Sequence, residues 1–322
     1  MLTGGIALLP FFKPRIRTEG LTGVSLEAGG VAIARIVRDR SHRPLLECLH
    51  FAAVKRDEEP ARILRNHIES LKLEHTICST VMGSQEYQLL LLEAPDVPPA
   101  ELKAAVRWRI KDLIGFHIDD AVIDVFEIPG QYRAGQSHMM YAVVARSKIV
   151  QERVNLIENS ATQLEIIDIP EMCLRNVTAL TEEDVQGVAL LYLARRYGCV
   201  IFTRQHTLYL ARKLDIGSDA LADAGADGQG TAALDNLLLE IQRSLDYYDS
   251  HFSQPPISAL LLAPSEAPLP RLQPYLAQNL SVAVKKLELA HLLRGPDTAD
   301  EATQARCLHA LGAALRMETV AL

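Results

Sequence analysis

At 322 residues the chain exceeds the usual size of one domain and can bury a large core. Its 48% hydrophobic and 23% charged residues are ordinary for a globular protein, and a net charge of −7 speaks against nucleic acid, for which a basic surface is expected. No apolar run is long enough to span a membrane, and five cysteines, an odd number without a CxxC pair, suggest a reducing, cytoplasmic setting.

The opening residues place Leu8, Leu9, Phe11 and Phe12 beside Lys13, Arg15 and Arg17. The basic residues follow the apolar ones and no small-residue cleavage site is present, so a signal peptide is not expected. An arm over 1–19 that touches a membrane surface or a partner, and one that lies on its own fold, are equally open readings. Residues 23–51 read as apolar strand, small-residue turn, strand, polar turn, strand. A helix over 58–73 follows, with Ile63, Leu64, His67, Ile68 and Leu71 on one face; His67 reads as a packed histidine rather than a ligand. Residues 76–82 and 87–92 are strands around a Gly83-Ser84 turn. Pro98 and Pro99 suit the start of a helix whose apolar face is Leu102, Ala105, Val106, Ile110, Leu113 and Ile114, with Gly115 as its stop. Lys103, Arg107, Arg109 and Lys111 form its solvated side. Strands over 121–128 and 138–145 and a helix over 147–160, with Ser147 as N-cap, complete a β-α-β-β-α unit.

A short strand at 165–169 and a helix from about Pro170 lead to TEEDVQ at 181–186, the candidate link between lobes. Residues 187–217 then repeat the three-strand layout. Residues 188–194 are apolar enough for a strand buried on both faces, whereas 199–204 and 207–214 alternate more, as strands nearer an edge or with one wet face would. Such a duplication, half a chain apart and each copy leading to a helix, predicts two similar lobes. The stretch 219–231 reads as a mobile loop; no strand leads into its glycines as a dinucleotide fingerprint requires. Helices over 232–252, 269–280 and 302–316 and strands over 257–263 and 282–287 complete the chain, with Cys307 on an apolar face. No zinc-ligand spacing, G-x-S-x-G or Cys/His arrangement occurs, so metal and covalent catalysis are not expected.

Several strings resemble PilM-type pilus assembly proteins. APDVPPAELKAAVRWRIKDLIGFHIDDAVIDV matches a family segment in order at Val106, Arg107, Trp108, Ile114, Phe116, Asp119 and Asp124. IQRSLDYYDSHFSQPPISALLLA and the closing CLHALGAALR are similar to two further family strings, and the likeness runs over 21–316. The divergent MshI branch, serving the mannose-sensitive haemagglutinin (MSHA) pilus, fits best. The resemblance implies a two-lobed actin-like α/β fold, shared with Hsp70 and sugar kinases. The first lobe would span 20–182, with an inserted α+β subdomain over about 86–162, and the second 183–318.

In that family, Asp residues at the ends of the two first strands hold Mg²⁺ or its waters, and glycine-rich turns approach the nucleotide. Here the first motif carries Ser25 at the Asp, followed by Glu27, Ala28, Gly29 and Gly30. The second carries Tyr192 at the Asp, Ala194 at the Gly, and Arg195 and Arg196 where small residues belong. The third has Pro264, Ser265 and Glu266 in place of three glycines. Glu27 could rescue one lost Asp, and the arginines could hold an anion or be solvated or salt-bridged. With all three turns altered together, neither magnesium-ATP nor another cofactor, no metal and no catalytic residue is expected. The resemblance implies a cytoplasmic adaptor, peripheral to the inner membrane, of a type IV pilus or type II-like secretion assembly. Its partners would be the cytoplasmic N-terminal tail of a bitopic PilN-like protein and the pilus motor proteins. Leu102, Val106, Trp108 and Arg109 are the candidates for the tail's groove. The alternatives are an ATP-binding actin-like switch or ATPase of the same machinery and, more remotely, a small-molecule kinase.

Overall fold

The computed structural model describes residues 17–38, 44–129, 138–222, 229–295 and 299–317. The arm over 1–16 and residues 223–228 of the expected loop lie outside them. In chain order the elements are β1 (Arg17–Glu27), β2 (Gly30–Arg38), β3 (Pro44–Ala53), α1 (Pro60–Ser70), β4 (Thr76–Val81), β5 (Tyr87–Glu93), α2 (Pro99–Ile110), β6 (Ala121–Glu127), β7 (Met139–Arg146), α3 (Ser147–Glu158), β8 (Gln163–Asp168) and α4 (Pro170–Thr178). They continue with β9 (Val188–Leu193), β10 (Gly198–Arg204), β11 (Thr207–Leu214), α5 (Ser218–Ala222), α6 (Gln229–His251), β12 (Ala259–Leu262), α7 (Leu272–Asn279), β13 (Ala283–Lys286), α8 (Leu289–Leu292) and α9 (Glu301–Ala314).

The two ladders seed two sheets of the same topology, β3-β2-β1-β4-β8 and β11-β10-β9-β12-β13. In each, three antiparallel strands are extended by two parallel ones. Parallel neighbours need long crossovers, which the helices supply. The expected strand pair around Gly83-Ser84 does not form: β4 joins the first sheet, and β5 joins a small sheet ordered β5-β7-β6. One face of that small sheet buries Val106, Ile110 and Ile114 of the α2 segment against Val125, Met140 and Val144. Its other face carries Tyr141, whose hydroxyl accepts from the Ala211 amide at 3.0 Å and donates to the Tyr209 carbonyl at 3.3 Å. The inserted unit is thereby docked on the second sheet's edge strand.

Several local expectations are corrected. The α2 helix ends at Ile110, before Gly115. Ser147 is not an N-cap; its hydroxyl instead donates to the Asp120 carbonyl at 2.9 Å. β10 is buried along its whole length rather than half-wet, because α4 packs on it and Phe202 stacks on Tyr248 of α6 at 5.4 Å. α5 occupies the start of the expected loop, and α6 begins at Gln229.

The polar link is an ordered joint. Residues Glu182–Val185 form one 3-10 turn that buries Asp184. Its carboxylate accepts from the Thr203 hydroxyl and the His206 amide, both at 2.7 Å. The Gln205 amide reaches its carbonyl at 2.8 Å. Gln205 and His206 both have positive φ, 49° and 65°, a conformation costly without glycine in the β10–β11 hairpin turn. Asp184→Ala removes the acceptor of the part-buried His206 amide and one of two partners of the buried Thr203 hydroxyl, which keeps Thr178 Oγ1 at 2.9 Å. We therefore expect a loss of about 1–3 kcal/mol in denaturant unfolding, partly restored by Asp184→Asn.

Although last in sequence, α9 crosses to the first sheet, packing on β1 to β4 and against α4, while α4 touches β9 to β11. A division after residue 182 therefore separates the strands but not the helices. Core residues Ala32, Ala34 and Ile36 consequently share one cluster with Val200, Leu308 and Leu311. A second stitch pairs Leu45 with Arg294, the Leu46 amide donating to the Arg294 carbonyl at 2.7 Å.

Candidate functional site: the cleft between the lobes

The β1–β2 and β9–β10 turns face each other across a cleft of about 690 Å³. Its remaining walls are the segment after β4, the start of α4, Glu266 and His309 of α9. Ser25, Glu27, Ala28, Tyr192, Ala194, Arg195, Arg196 and Glu266, far apart in sequence, all line it. Gly29 stands in the β1–β2 turn with φ of +82° and open space beside it. Gly30 is required by packing, since a Cβ there would meet the Phe51 ring at 2.4 Å and the Ala52 carbonyl at 2.5 Å. Pro264 and Ser265 line a neighbouring cavity of about 290 Å³ walled by Leu191, Leu262 and Leu272, with the Ser265 hydroxyl buried and unpaired among the described residues.

The carboxylates of the cleft, and Arg195, are held by the protein itself. Glu27 Oε1 accepts from the Ser25 hydroxyl at 2.8 Å and lies 3.1 Å from His309 Nδ1. The His309 ring packs on Tyr192, centroids 4.6 Å apart, and its Nε2 is buried without a partner among the described residues. Burial, and then the Glu27 charge, push the Tyr192 phenol well above its ordinary value, so it stays neutral. Arg195 pairs with Asp219 at 3.3 Å. Glu266 pairs with Arg306 at 3.1 Å, and that guanidinium sits 5.0 Å over the Phe51 ring. Glu86 accepts from the Gly83 amide at 2.7 Å and from Arg153 at 2.5 Å. The second turn's own carbonyls are engaged too: Ser218 and Asp219 amides reach the Ala194 and Arg195 carbonyls at 2.8 and 3.0 Å.

Sequence reasoning overlooked His309, Gly83 to Glu86, and Asp219. The one signal for His309 was a polar ring in the apolar run from Cys307 to Leu311. Cys307 is packed, as its place on an apolar face suggested, and burial pushes its thiol up to about 12. His67 lies against His50, ring nitrogens 2.9 Å apart. The four groove candidates do not line one surface. Leu102 and Val106 face the small-sheet core, whereas Trp108 and Arg109 point outward, Arg109 donating to the Glu93 carbonyl at 2.6 Å. Among the described residues no group of three or more His, Cys, Asp or Glu could hold a metal ion, and no helix is long and apolar enough to cross a membrane.

Paired sheets of identical order, joined by exchanged helices around a central cleft, define the two-lobed actin-like class, with a small α+β unit inserted into the first half. No family model matches the sequence, and no curated protein does. Among solved structures, a chain of the PilM-PilN type IV pilus biogenesis complex is similar over 94% of this chain and 98% of its own, at 18% identity and a TM-score of 0.72. A Bacteroides thetaiotaomicron protein of actin-like ATPase fold and unknown function is similar over 88% of this chain and 95% of its own, at 7% identity and a TM-score of 0.51. At these identities the likeness is one of fold.

Proposed function

We propose that the chain is a non-catalytic adaptor of a type IV pilus of the MSHA kind, or of a type II-like secretion assembly. It would work at the cytoplasmic face of the inner membrane by docking the cytoplasmic tail of a bitopic, PilN-like protein. The observation that carries this reading is the end-to-end likeness to the PilM-PilN chain, which includes the inserted unit. Fold alone does not fix function, so the cleft supplies the second support. Family-type magnesium binding needs a carboxylate turned toward a hydrated cation, yet Glu27 is taken by Ser25 and His309 and Glu266 by Arg306. Proline at 264 removes an amide hydrogen from the third turn. The residues present do not fit the magnesium-nucleotide group.

The test is titration of the purified chain with a peptide of the bitopic partner's cytoplasmic N-terminus. Saturable heat is expected, and none up to millimolar peptide would refute docking. A nucleotide switch is favoured by the cleft's volume alone. It requires a rise in melting temperature with magnesium-ATP, since a ligand at a hundred times its Kd stabilises by about 2.7 kcal/mol. The adaptor reading expects no such rise.

A further inference from the structure

The cavity of about 290 Å³ beside the cleft lies at the carboxyl ends of β9, β12 and β13, which run parallel. In open α/β sheets, ligands bind outside the carboxyl ends of such strands. Leu191 and Leu193 wall it from β9, Leu262 from β12, and Leu269, Leu272 and Leu289 from the segments that follow. Protein interiors are close-packed, with few voids larger than a water molecule, so folding alone does not account for a leucine wall left unfilled. Gln273 and Gln304 in the same wall each donate to a backbone carbonyl, of Val284 at 3.2 Å and of Ala299 at 2.7 Å. The Ser265 hydroxyl differs: it is shut from bulk water and has no partner among the described residues. An orphaned buried hydroxyl is unfavourable until something pairs with it. The exposed charges around the cavity are Lys286, Glu288 and Glu301, and Glu288 lies 3.0 Å from His291. One lysine against two carboxylates disfavours an anion.

We propose that this cavity binds an uncharged, largely apolar small molecule through a hydroxyl that pairs with Ser265. A cavity of about 150 Å³ with apolar walls holds benzene, so this one admits a ligand of on the order of ten non-hydrogen atoms. A hydroxyl both donates and accepts, and it therefore meets Ser265 whichever way that residue's hydrogen points. Water would satisfy Ser265 too, but it would leave the six leucines wet. An alkyl or aryl body covers them and gains by the hydrophobic effect. Such binding needs neither a partner protein nor the adaptor role.

The full chain is titrated with 4-propylphenol, and with propylbenzene as the analogue lacking the hydroxyl, by ligand-detected NMR. Saturable binding of both is expected, about fivefold tighter for the phenol, the ratio that one neutral hydrogen bond supplies. Ser265→Ala should abolish the difference without lowering the melting temperature. Leu269→Trp, which fills the cavity from a half-buried position, should remove binding of both. Where Leu269→Trp fails to melt cooperatively, the Ser265→Ala comparison decides alone. No saturable signal at millimolar phenol overturns the proposal. Equal binding of the two probes to the unaltered chain does so as well, because Ser265 then meets water only. Binding that survives in folded Leu269→Trp lies elsewhere on the chain and is equally fatal. So is adenosine binding more tightly than the phenol, which would make the cavity a nucleoside site. None of these results bears on the peptide titration, so the two proposals fail separately.

Discussion

Gly312→Ala is expected to lower the unfolding free energy by about 2–3 kcal/mol, although alanine is the better helix former. In an exposed helix interior the same change would stabilise by about 1 kcal/mol. Here the added Cβ would lie 2.2 Å from the Cys173 carbonyl oxygen and 2.5 Å from its carbon. Both are backbone atoms of α4 and cannot swing away, so the two helices must separate. Forcing extra methyl groups into a packed core costs about 1–3 kcal/mol, occasionally more. Separation also stretches the bond from Asn176 Nδ2 to the Gly312 carbonyl, 2.9 Å long and buried. Gly23→Ala should act alike, since its Cβ would meet the Ala310 carbonyl at 1.9 Å. Gly115→Ala, with nothing within 4 Å, is the neutral comparison. Denaturant unfolding of the three variants checks the order, and a stabilised Gly312→Ala would mean that α4 and α9 are not closely packed.

Arg316→Ala should cost about 3 kcal/mol at neutral pH, and less in acid. Asp168 is 3% exposed, and its Oδ2 accepts from Arg316 at 2.9 Å while Oδ1 accepts from the Ile169 amide at 3.0 Å. Removing one partner of a buried pair strands the other charge, typically at about 3–5 kcal/mol; the lower end applies because Arg316 is partly open to water. Burial raises the Asp168 carboxyl from its ordinary value, and Arg316 opposes that rise. A carboxyl whose folded value is raised binds protons more readily folded than unfolded. Its contribution therefore declines as pH climbs from the unfolded value through the folded one. Without Arg316 the folded value rises further, and the decline deepens across the window above the ordinary carboxylate range. The variant's deficit should thus be smaller at pH about 5 than at pH about 8. Arg316→Ala/Asp168→Asn should lose less than Arg316→Ala alone. A deficit that does not change with pH would show that the pair is solvated.

Both predictions concern contacts between distant parts of the chain, and there sequence reading was weakest. The strands of both ladders were legible because apolar alternation and small-residue turns are local signals. Ser25, Glu27, Tyr192, Arg195 and Glu266, which the resemblance put in three separate motifs, meet at one cleft. What occupies their polar atoms was not legible: His309 reaches Glu27 across 282 positions, and nothing in either local pattern encodes that pairing. Polar composition at 181–186 suggested a link, while burial of Asp184 depends on the hairpin it clamps, an element formed 19 or more residues later. Trp108 was grouped with Val106 by motif, but helical phase separates them, one inward and one outward.

By itself, then, the sequence determined the duplicated strand pattern, the helices with clear apolar faces and the absence of glycine-rich turns at 192–196 and 264–266, because each depends on residues close together along the chain. Tertiary structure alone decided that α9 crosses to the first sheet, that the inserted unit docks on β11, and that the cleft's carboxylates are spent on internal partners. Those outcomes depend on backbones approaching where Gly23 and Gly312 remove a Cβ, and on polar groups finding partners only once both lobes are assembled.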